Sequence, residues 1–534
     1  MLPFYSLLLI ATWLVPKYCL VQLNEPFLYI SATTFKFVLT STLFLTKLKM
    51  KMSKFVCFIT KKLQNLSIFV NPFWIQICYF ISVSSVGFLV LKVLKPRNKS
   101  FRPNDFDVFF MSVSATTVSS MSTLEMEVFS DTQLTVLTIL MVLGGEVFVS
   151  VLGLHWLNSK FKKQETQNKV IDPLVVSVED LRYKSSIRYL SYVVWAYFLV
   201  IHIVGSTMIS IYMSLVSSAR NVLKNKGLHL VTFSMFTTVS TFTNCGFIPT
   251  NENMIVFSKH SGLLLILIPQ ILLGNTLYPP CLRFLIWVLW RLTKREELNY
   301  LLRMNFSDGI GYNHLLPFLH SCLLVVTVFG FIVIQFILFC CMEWNSEALK
   351  GLNCYQKLVA ALFQSVNSRH TGESVVDLSI ISPAILVLYV VMMYLPPYTT
   401  FLPRKNDEQS LRSNEKMKKR REKLVENLLF SQLSYLAIFI ILICITEREK
   451  LREDPLNFTV LNIVIEVISA YGNVGFTTGY SCERQLKHDG YCKDAWYGFS
   501  GRWSNEGKLI LILVMFFGRL KKFNMEGGKG WKLM

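Results

Sequence analysis

Charged residues are scarce in this sequence: only 16% of its 534 residues are Asp, Glu, Lys or Arg, whereas 52% are hydrophobic. A soluble domain needs a charged surface, so this balance excludes a soluble globular protein. The H-E-x-x-H, Walker A, G-x-S-x-G and C-x-x-C patterns are also missing. Their absence argues against an enzyme and against a bound cofactor or resident metal. The composition indicates a polytopic membrane protein.

Eight apolar segments have the length of about 20 residues that crosses a bilayer. They begin near Pro72, Thr132, Tyr189, Gly262, Leu315, Leu378, Leu428 and Lys508. Between the members of each pair lies a shorter segment of mixed polarity, at residues 106–117, 228–241, 355–367 and 458–470. Irregular backbone at membrane depth is tolerated only where protein or a water-filled cavity satisfies its polar groups. We therefore expect four re-entrant helices.

Each of the four shorter segments runs into a stretch of small residues. These stretches are SVSATTVSS ending at Ser120, TVSTFTNCG ending at Gly246, QSVNSRHTG ending at Gly372 and VISAYGNVG ending at Gly475. Their last residues are 246 − 120 = 126, 372 − 246 = 126 and 475 − 372 = 103 positions apart. Repetition at such spacing indicates several copies of one structural unit. Small residues also line ordinary helix packing seams, but four stretches in register favour the repeat.

Alignment of the four stretches on their last residue makes the repeat visible in single letters. One column contains Ser114, Ser240 and Ser469. The third copy departs from it and carries Val366 there. Glycine permits backbone conformations that strain other residues, so each stretch can turn sharply at its end. Four sharp turns of this kind around one axis would point their carbonyl oxygens at a monovalent cation and replace its hydration shell.

These patterns predict an all-α integral membrane protein with four membrane-pore-membrane repeats, that is eight core spans and four re-entrant pore helices, around one pseudo-fourfold pore. We place repeat A at 71–158, a linker and repeat B at 159–292, a linker and repeat C at 293–402, and a basic cytosolic linker and repeat D at 403–534. Residues 1–70 form an N-terminal extension outside this plan. They either form extra apolar helices or result from a translation start that was assigned too early in the sequence.

Basic residues set the expected orientation. They cluster between spans two and three, at Lys160, Lys162, Lys163, Lys169, Arg182 and Lys184, and between spans six and seven, at Arg404, Lys405, Arg412, Lys416, Lys418, Lys419, Arg420, Arg421 and Lys423. By the positive-inside rule these loops are cytosolic, as is the N-terminus of the core. Lys95, Arg97, Lys99 and Arg102 oppose the rule. Attraction to an anionic inner leaflet explains the net charge of +20 without a nucleic-acid partner.

Several polar residues in apolar surroundings are further candidates. Arg519 in the last span is either a functional intramembrane cation or a side chain that snorkels to the interface. Glu146 is expected to have a buried partner rather than to coordinate an ion. Arg369, His370 and Glu373 are expected to hold the backbone around Gly372 by hydrogen bonds rather than to contact an ion. The acidic Glu125 and Glu127 are candidates for concentrating cations outside.

Two features of the outer loops concern covalent modification. Cys482 and Cys492 share an external loop and either form a disulfide or remain free thiols. Asn98 begins an Asn-Lys-Ser glycosylation sequon, a pattern that is weak evidence by itself.

The motifs SVSATTVSSMSTLEMEVFS, STFTNCGFIPTNENM, SVNSRHTGE, EVISAYGNVGFTTGYSCER and FFGRLKKF resemble the plant high-affinity potassium transporter (HKT) family, within the Trk/Ktr/HKT group. The resemblance runs from about Asn71 to the C-terminus. It implies a selectivity filter of Ser120, Gly246, Gly372 and Gly475, with flanking carbonyls from Val118, Ser119, Asn244, Cys245, His370, Thr371, Asn473 and Val474. It also implies a homodimer in the lipid bilayer and a gate or electrostatic barrier at Arg519.

Within that resemblance, serine at the first filter position is typical of the sodium-selective branch. We expect channel-like uniport of Na⁺ across the plasma membrane, as in plant sodium retrieval from xylem and salt tolerance, with Na⁺ held only transiently at the filter. The alternative is a Na⁺/K⁺ symporter or a potassium-permeable secondary transporter. As a physical hypothesis, the hydroxymethyl group of Ser120 makes the carbonyl ring narrower and less uniform, which suits the smaller ion.

Overall fold

The computed structural model describes residues 72–98, 102–171, 178–303, 312, 314–399, 432–485 and 492–524, and every regular element in these ranges is helical. The predicted extension 1–70 and the basic segment 403–431 lie outside the described residues. In chain order the α-helices are α1 Pro72–Val93, α2 Asp105–Thr117, α3 Asp131–Gly144, α4 Glu146–Ile171, α5 Val178–Leu215, α6 Ser217–Asn225, α7 Leu230–Thr243, α8 Ser261–Gly274, α9 Tyr278–Thr293, α10 Glu296–Arg303, α11 Phe318–Glu343, α12 Cys354–Asn367, α13 Pro383–Tyr394, α14 Gln432–Thr446, α15 Arg448–Glu453, α16 Val460–Gly472 and α17 Asn505–Asn524.

The predicted spans coincide with these helices. By length and composition, α1, α5 and α11 are able to cross a membrane alone, and the bent pairs α3 with α4 and α8 with α9 raise the number in the described ranges to five. The pairs bend by 58° and 85°. The remaining expected spans correspond to the shorter apolar helices α13 and α14 and to α17.

The four predicted re-entrant segments are the helices α2, α7, α12 and α16, whose ends lie within two residues of the predicted ones. We call them pore helices A to D. Their C-terminal halves are buried. Helices A, B and D each end at a left-handed residue, namely Val118, Asn244 and Asn473. Asn adopts this conformation readily, whereas a β-branched Val in it is a true outlier.

The aligned serines Ser114, Ser240 and Ser469, which we call the serine column, show how pore helices A, B and D end. The carbonyls of Ser114, Ser240 and Ser469 accept backbone N–H groups five residues later, at 2.9, 2.9 and 3.0 Å. This is the bonding pattern of a Schellman C-cap, which satisfies carbonyls that a helix end would otherwise leave open. Pore helix C ends differently, with a right-handed Ser368.

Glycines let the second spans touch the pore helices. A Cβ built at Gly144 would lie 1.9 Å from the Thr116 carbonyl oxygen, and one built at Gly274 would lie 1.8 Å from that of Phe242. In repeat D the corresponding distance, from Gly518 to the Tyr471 oxygen, is 2.0 Å. All three distances are far inside van der Waals contact, so only glycine fits.

Buried glutamates join the two spans of repeats C and D at the end where the pore helix is inserted between them. Glu343, the last residue of α11, accepts the N–H of Ser382 at 2.9 Å, just before α13 begins. Glu447 follows α14 and accepts the Ser504 N–H at 2.8 Å, just before α17 begins. A carboxylate at a helix N-terminus satisfies an open donor and complements the helix dipole.

Three loop residues, Cys482, Cys492 and Asn98, are the predicted sites of covalent modification. Cys482 and Cys492 are joined by a disulfide. Asn98 is exposed, while the other two residues of its sequon lie outside the described residues. Glycosylation of Asn98 stays a prediction.

We expect Gly274→Ala to destabilise the protein by about 1–3 kcal/mol or more, the usual result of inserting a methylene into a packed interior. Gly330→Ala is the matched control, because Gly330 lies in apolar helix α11 with no atom within 4 Å of a built Cβ. Thermal unfolding of the detergent-solubilised variants measures both. Equal melting temperatures for the two variants would contradict the close packing.

Candidate functional site

The last residues of the four small-residue stretches meet in a ring. A Cβ built at Gly246 of repeat B would lie 1.6 Å from the carbonyl oxygen of Thr371 in repeat C. One built at Gly372 of repeat C would lie 2.2 Å from the Val474 oxygen of repeat D. Each glycine thus faces a carbonyl of the next repeat.

Ser120 of repeat A closes the ring on both sides. A Cβ built at Gly475 would lie 2.2 Å from the Cβ of Ser120 and 3.0 Å from the Ser119 carbonyl oxygen. One built at Gly246 would lie 3.2 Å from the Ser120 hydroxyl. The four repeats therefore surround one axis in the order A, B, C, D.

The backbone angle φ is positive at all four ring residues, a conformation that favours glycine. φ is +91° at Gly246, +66° at Gly372 and +103° at Gly475. Ser120 has φ +53°, within the left-handed region that costs an L-residue about 1–2 kcal/mol. Repeat A therefore holds a side chain where the fold favours none.

An open cavity of about 320 Å³ has all four ring residues in its lining. Its walls come from the loops that follow the pore helices, including Asn251, Asp377, Asp494 and Trp496. A small hydrated ion in this cavity has direct access to the ring.

Repeats A and D are bound together beside the ring. The Asn473 side-chain amide donates to the Ser119 hydroxyl at 2.8 Å, and this hydroxyl shares a second hydrogen bond, also 2.8 Å, with Thr117. The same amide reaches the carbonyls of Ala470 and Met515. The corresponding Asn244 of repeat B donates to one carbonyl, that of Ile271, at 3.3 Å.

In repeat C, side chains hold the backbone around Gly372 in place by hydrogen bonds, as expected for Arg369 and Glu373. Arg369 donates to the Pro396 carbonyl at 2.6 Å. Glu373 is fully buried and accepts the Thr241 hydroxyl of pore helix B at 2.7 Å. His370 shares a 2.7 Å hydrogen bond with the Thr276 hydroxyl. These bonds orient the turn in place of the missing left-handed cap.

Of the eight flanking carbonyls that the family resemblance implied, those of Ser119, Thr371 and Val474 lie against the neighbouring ring glycine. Val118, Asn244 and Asn473 are the left-handed caps of their pore helices, and the role of their carbonyls at the filter stays a prediction. The structure places Cys245, completely buried, directly before Gly246, and gives His370 the side-chain contact described above.

Arg519 is 2% exposed, which argues against snorkelling to the interface. Its guanidinium donates to the Gly144 carbonyl, where the second span of repeat A breaks. It also lies within electrostatic reach of Glu146, Cys245 and Tyr398. This cation of repeat D is therefore surrounded by residues of the other three repeats, close to the ring.

The expected buried partners of Glu146 are present. Tyr398 donates to its carboxylate at 3.3 Å, and the Nδ1 of His314 lies 3.8 Å away. His314 and Tyr398 also share a 3.0 Å hydrogen bond. The sequence held no signal for this cluster, because its members are more than 80 positions apart.

Glu125 and Glu127, which follow the first small-residue stretch, form contacts between loops. Lys226 lies 2.8 Å from Glu127 and 2.6 Å from Glu252. Burial lowers the pKa of the Lys226 ammonium, but the two carboxylates outweigh it and raise the pKa above its usual value. Glu125 accepts the Trp496 N–H at 3.0 Å and the Asn251 amide at 3.3 Å. These contacts tie the outer loops of the repeats together.

Fold and ring together define an integral membrane protein whose four re-entrant helices converge on one axis. The family model described as "TrkH: Cation transport protein" matches residues 36–525. The chain belongs to this family of cation transporters, and it is not an enzyme.

Curated relatives agree with this assignment and with the predicted resemblance. The chain is 51% identical over 491 residues to cation transporter HKT1;3 of Oryza sativa subsp. japonica, covering 87% of this chain and 92% of the relative. It is 52% identical over 471 residues to sodium transporter HKT1 of Arabidopsis thaliana, covering 83% and 91%. The crystal structure of the potassium transporter TrkH from Vibrio parahaemolyticus is similar with a TM-score of 0.48 and 14% identity, covering 85% of this chain and 83% of that one.

We expect Asn473→Gly to destabilise the protein by about 1–3 kcal/mol, because glycine keeps the left-handed cap but removes an amide whose two N–H donors serve three acceptors, and a hydrogen bond is worth roughly 1 kcal/mol. Asn244→Gly is the matched control at the same cap position, and it removes one. Thermal melting of both purified variants measures the difference. A smaller loss at Asn473 than at Asn244 would contradict the role of the bond between repeats A and D.

Proposed function

We propose that the chain is a sodium-selective transporter that conducts Na⁺ by channel-like uniport, with Ser120, Gly246, Gly372 and Gly475 as its selectivity filter. The observation that carries this proposal is the ring itself, in which these four residues meet below an open cavity. Backbone carbonyls replace part of an ion's hydration shell in such a filter. The name of the Arabidopsis relative, a sodium transporter, supports the choice of ion.

Ser120 is the feature that favours Na⁺ over K⁺ in this proposal. Its Cβ and hydroxyl lie beside Gly475 and Gly246, whereas the other three ring residues carry no side chain and lie against the backbone or side chain of the next repeat. One hydroxymethyl group makes the ring less uniform, and we expect it to narrow the opening on that side. Cavity size and carbonyl field strength both contribute to selectivity in filters, and a narrower opening suits the smaller ion.

The setting of this activity is also a proposal. We place the protein in the plasma membrane as a homodimer, with the N-terminus of the core and the basic loops in the cytosol and the cavity outside, following the positive-inside rule. Retrieval of sodium from plant xylem, and with it salt tolerance, is the physiological role that the resemblance implies.

We expect Ser120→Gly to raise the permeability of K⁺ relative to Na⁺, because it restores the fourth glycine and widens the ring. Ser122→Ala is the control, since Ser122 lines the same cavity outside the ring. Reversal potentials in mixed Na⁺/K⁺ solutions measure the change. An unchanged permeability ratio in Ser120→Gly would overturn the filter assignment, and a reversal potential that follows both ion gradients in the native protein would favour symport.

We further propose that Arg519 is an electrostatic barrier to cations on the inner side of the filter. Its burial near Cys245 and its bond to the Gly144 carbonyl support this position. A buried cation close to the conduction path raises the energy of a second cation there.

Arg519→Gln should therefore increase the current or alter its rectification, because it removes the charge. Arg519→Lys keeps the charge and loses the planar fork of donors, so its currents should stay near native. Current-voltage curves, normalised to protein at the surface, distinguish the two. If both variants behaved alike, the hydrogen bond to Gly144 rather than the charge would be responsible.

A further inference from the structure

The serine column of the pore helices makes a second contact, and this one reaches the ring. The Ser240 hydroxyl accepts the backbone N–H of Gly246 at 3.0 Å. The Ser469 hydroxyl accepts the N–H of Gly475 at 2.9 Å. Both serines are completely buried. In repeats B and D a side chain thus ties the ring residue back to its own pore helix.

A hydrogen bond that fixes the N–H of a ring residue also orients the carbonyl of the residue before it. In a trans peptide the C=O of one residue points opposite to the N–H of the next. Because the Gly475 N–H points back to Ser469, the Val474 carbonyl points away from the pore helix, and its oxygen reaches the space beside Gly372. The Gly246 N–H orients the Cys245 carbonyl in the same way.

In repeat C the N–H of the ring residue is also hydrogen-bonded, but not to a serine hydroxyl. Val366 stands in the serine column there, and the Gly372 N–H instead bonds to the backbone carbonyl of Asn367 at 3.3 Å. The Thr371 carbonyl is thereby oriented, and it lies against Gly246 of repeat B.

Repeat A has the serine but not the bond. The carbonyl of Ser114 accepts the Ser119 N–H as in the other repeats. Its hydroxyl, however, is buried without a hydrogen-bond partner among the described residues. The backbone N–H of Ser120 lies near the Cys245 thiol of repeat B, and sulfur is a weak acceptor. The Ser120 N–H, which orients the Ser119 carbonyl, therefore has a weaker acceptor than the corresponding N–H groups of the other three repeats.

We propose that Ser240 and Ser469 are positioning residues for ion selection, whose hydroxyls fix the Cys245 and Val474 carbonyls while the Ser119 carbonyl of repeat A stays adjustable. This inference rests on the proposed filter. Fixed carbonyls hold the opening at one width, and one adjustable carbonyl shortens its distance to a small ion at low cost. Additional adjustable carbonyls would adapt to Na⁺ and K⁺ alike and so weaken discrimination.

The test compares one change at three equivalent positions. Ser240→Ala and Ser469→Ala should each bring the Na⁺/K⁺ permeability ratio closer to one by about twofold to tenfold, the range that loss of one hydrogen bond produces. Ser114→Ala removes an unbonded hydroxyl and should leave the ratio unchanged. Reversal potentials provide the readout, because they do not depend on how many transporters reach the surface.

Cysteine variants separate the hydrogen bond from packing. Ser240→Cys and Ser469→Cys keep the volume but supply a weak acceptor, so their ratios should resemble those of the alanine variants. Equal ratios in all three alanine variants, or native ratios in the cysteine variants, would overturn the inference. So would loss of the Ser240 and Ser469 variants from the surface, which would mark a folding role.

The Ser120→Gly measurement keeps the two proposals apart. If it changes selectivity while the alanine series does not, the filter assignment holds and the positioning role fails. If Ser120→Gly has no effect, the filter assignment itself fails.

Discussion

The structure depends on bringing four stretches of backbone within contact distance of one axis. At Gly246, Gly372 and Gly475 a Cβ would lie 1.6 to 2.2 Å from an atom of the adjacent repeat, so these approaches exclude any side chain. The backbone must also turn sharply, with positive φ at every ring position. Glycine satisfies both demands at once. The same demands at Ser120 are met only with a side chain in a strained conformation.

The surrounding helices make this convergence possible. Each pore helix has to stop a few residues before the axis, and left-handed caps stop three of them. The second spans then press glycines against the carbonyls of the last helical turns, which fixes the depth of the ring. In repeat C, where cap and serine are both missing, Arg369, His370 and Glu373 supply the restraint through side chains. Different local chemistry thus produces one quasi-symmetric geometry.

Periodicity and composition were sufficient to predict the pore helices, because each lies between two long apolar runs and ends in small residues. Asn244 and Asn473 stand at the same position of the second and fourth stretches, but only the backbone shows that both residues are left-handed caps. The contacts of Gly144 and Gly274 with pore-helix carbonyls, and the glutamate caps at Ser382 and Ser504, had no sequence signal. Such features depend on partners 28 to 57 positions away, and a local pattern contains no information about distant partners.

Charge near the ring follows from the same geometry. A ring of carbonyls has dipoles but no formal charge, so nearby ionised groups set the local field. Arg519 is buried, and a buried charge is costly unless other groups compensate it. The Gly144 carbonyl and the carboxylate of Glu146 provide compensation, yet Glu146 also accepts a hydrogen bond from Tyr398 and lies near His314. The strength of an Arg519 barrier would therefore depend on how completely this cluster, drawn from repeats A and C, balances its charge.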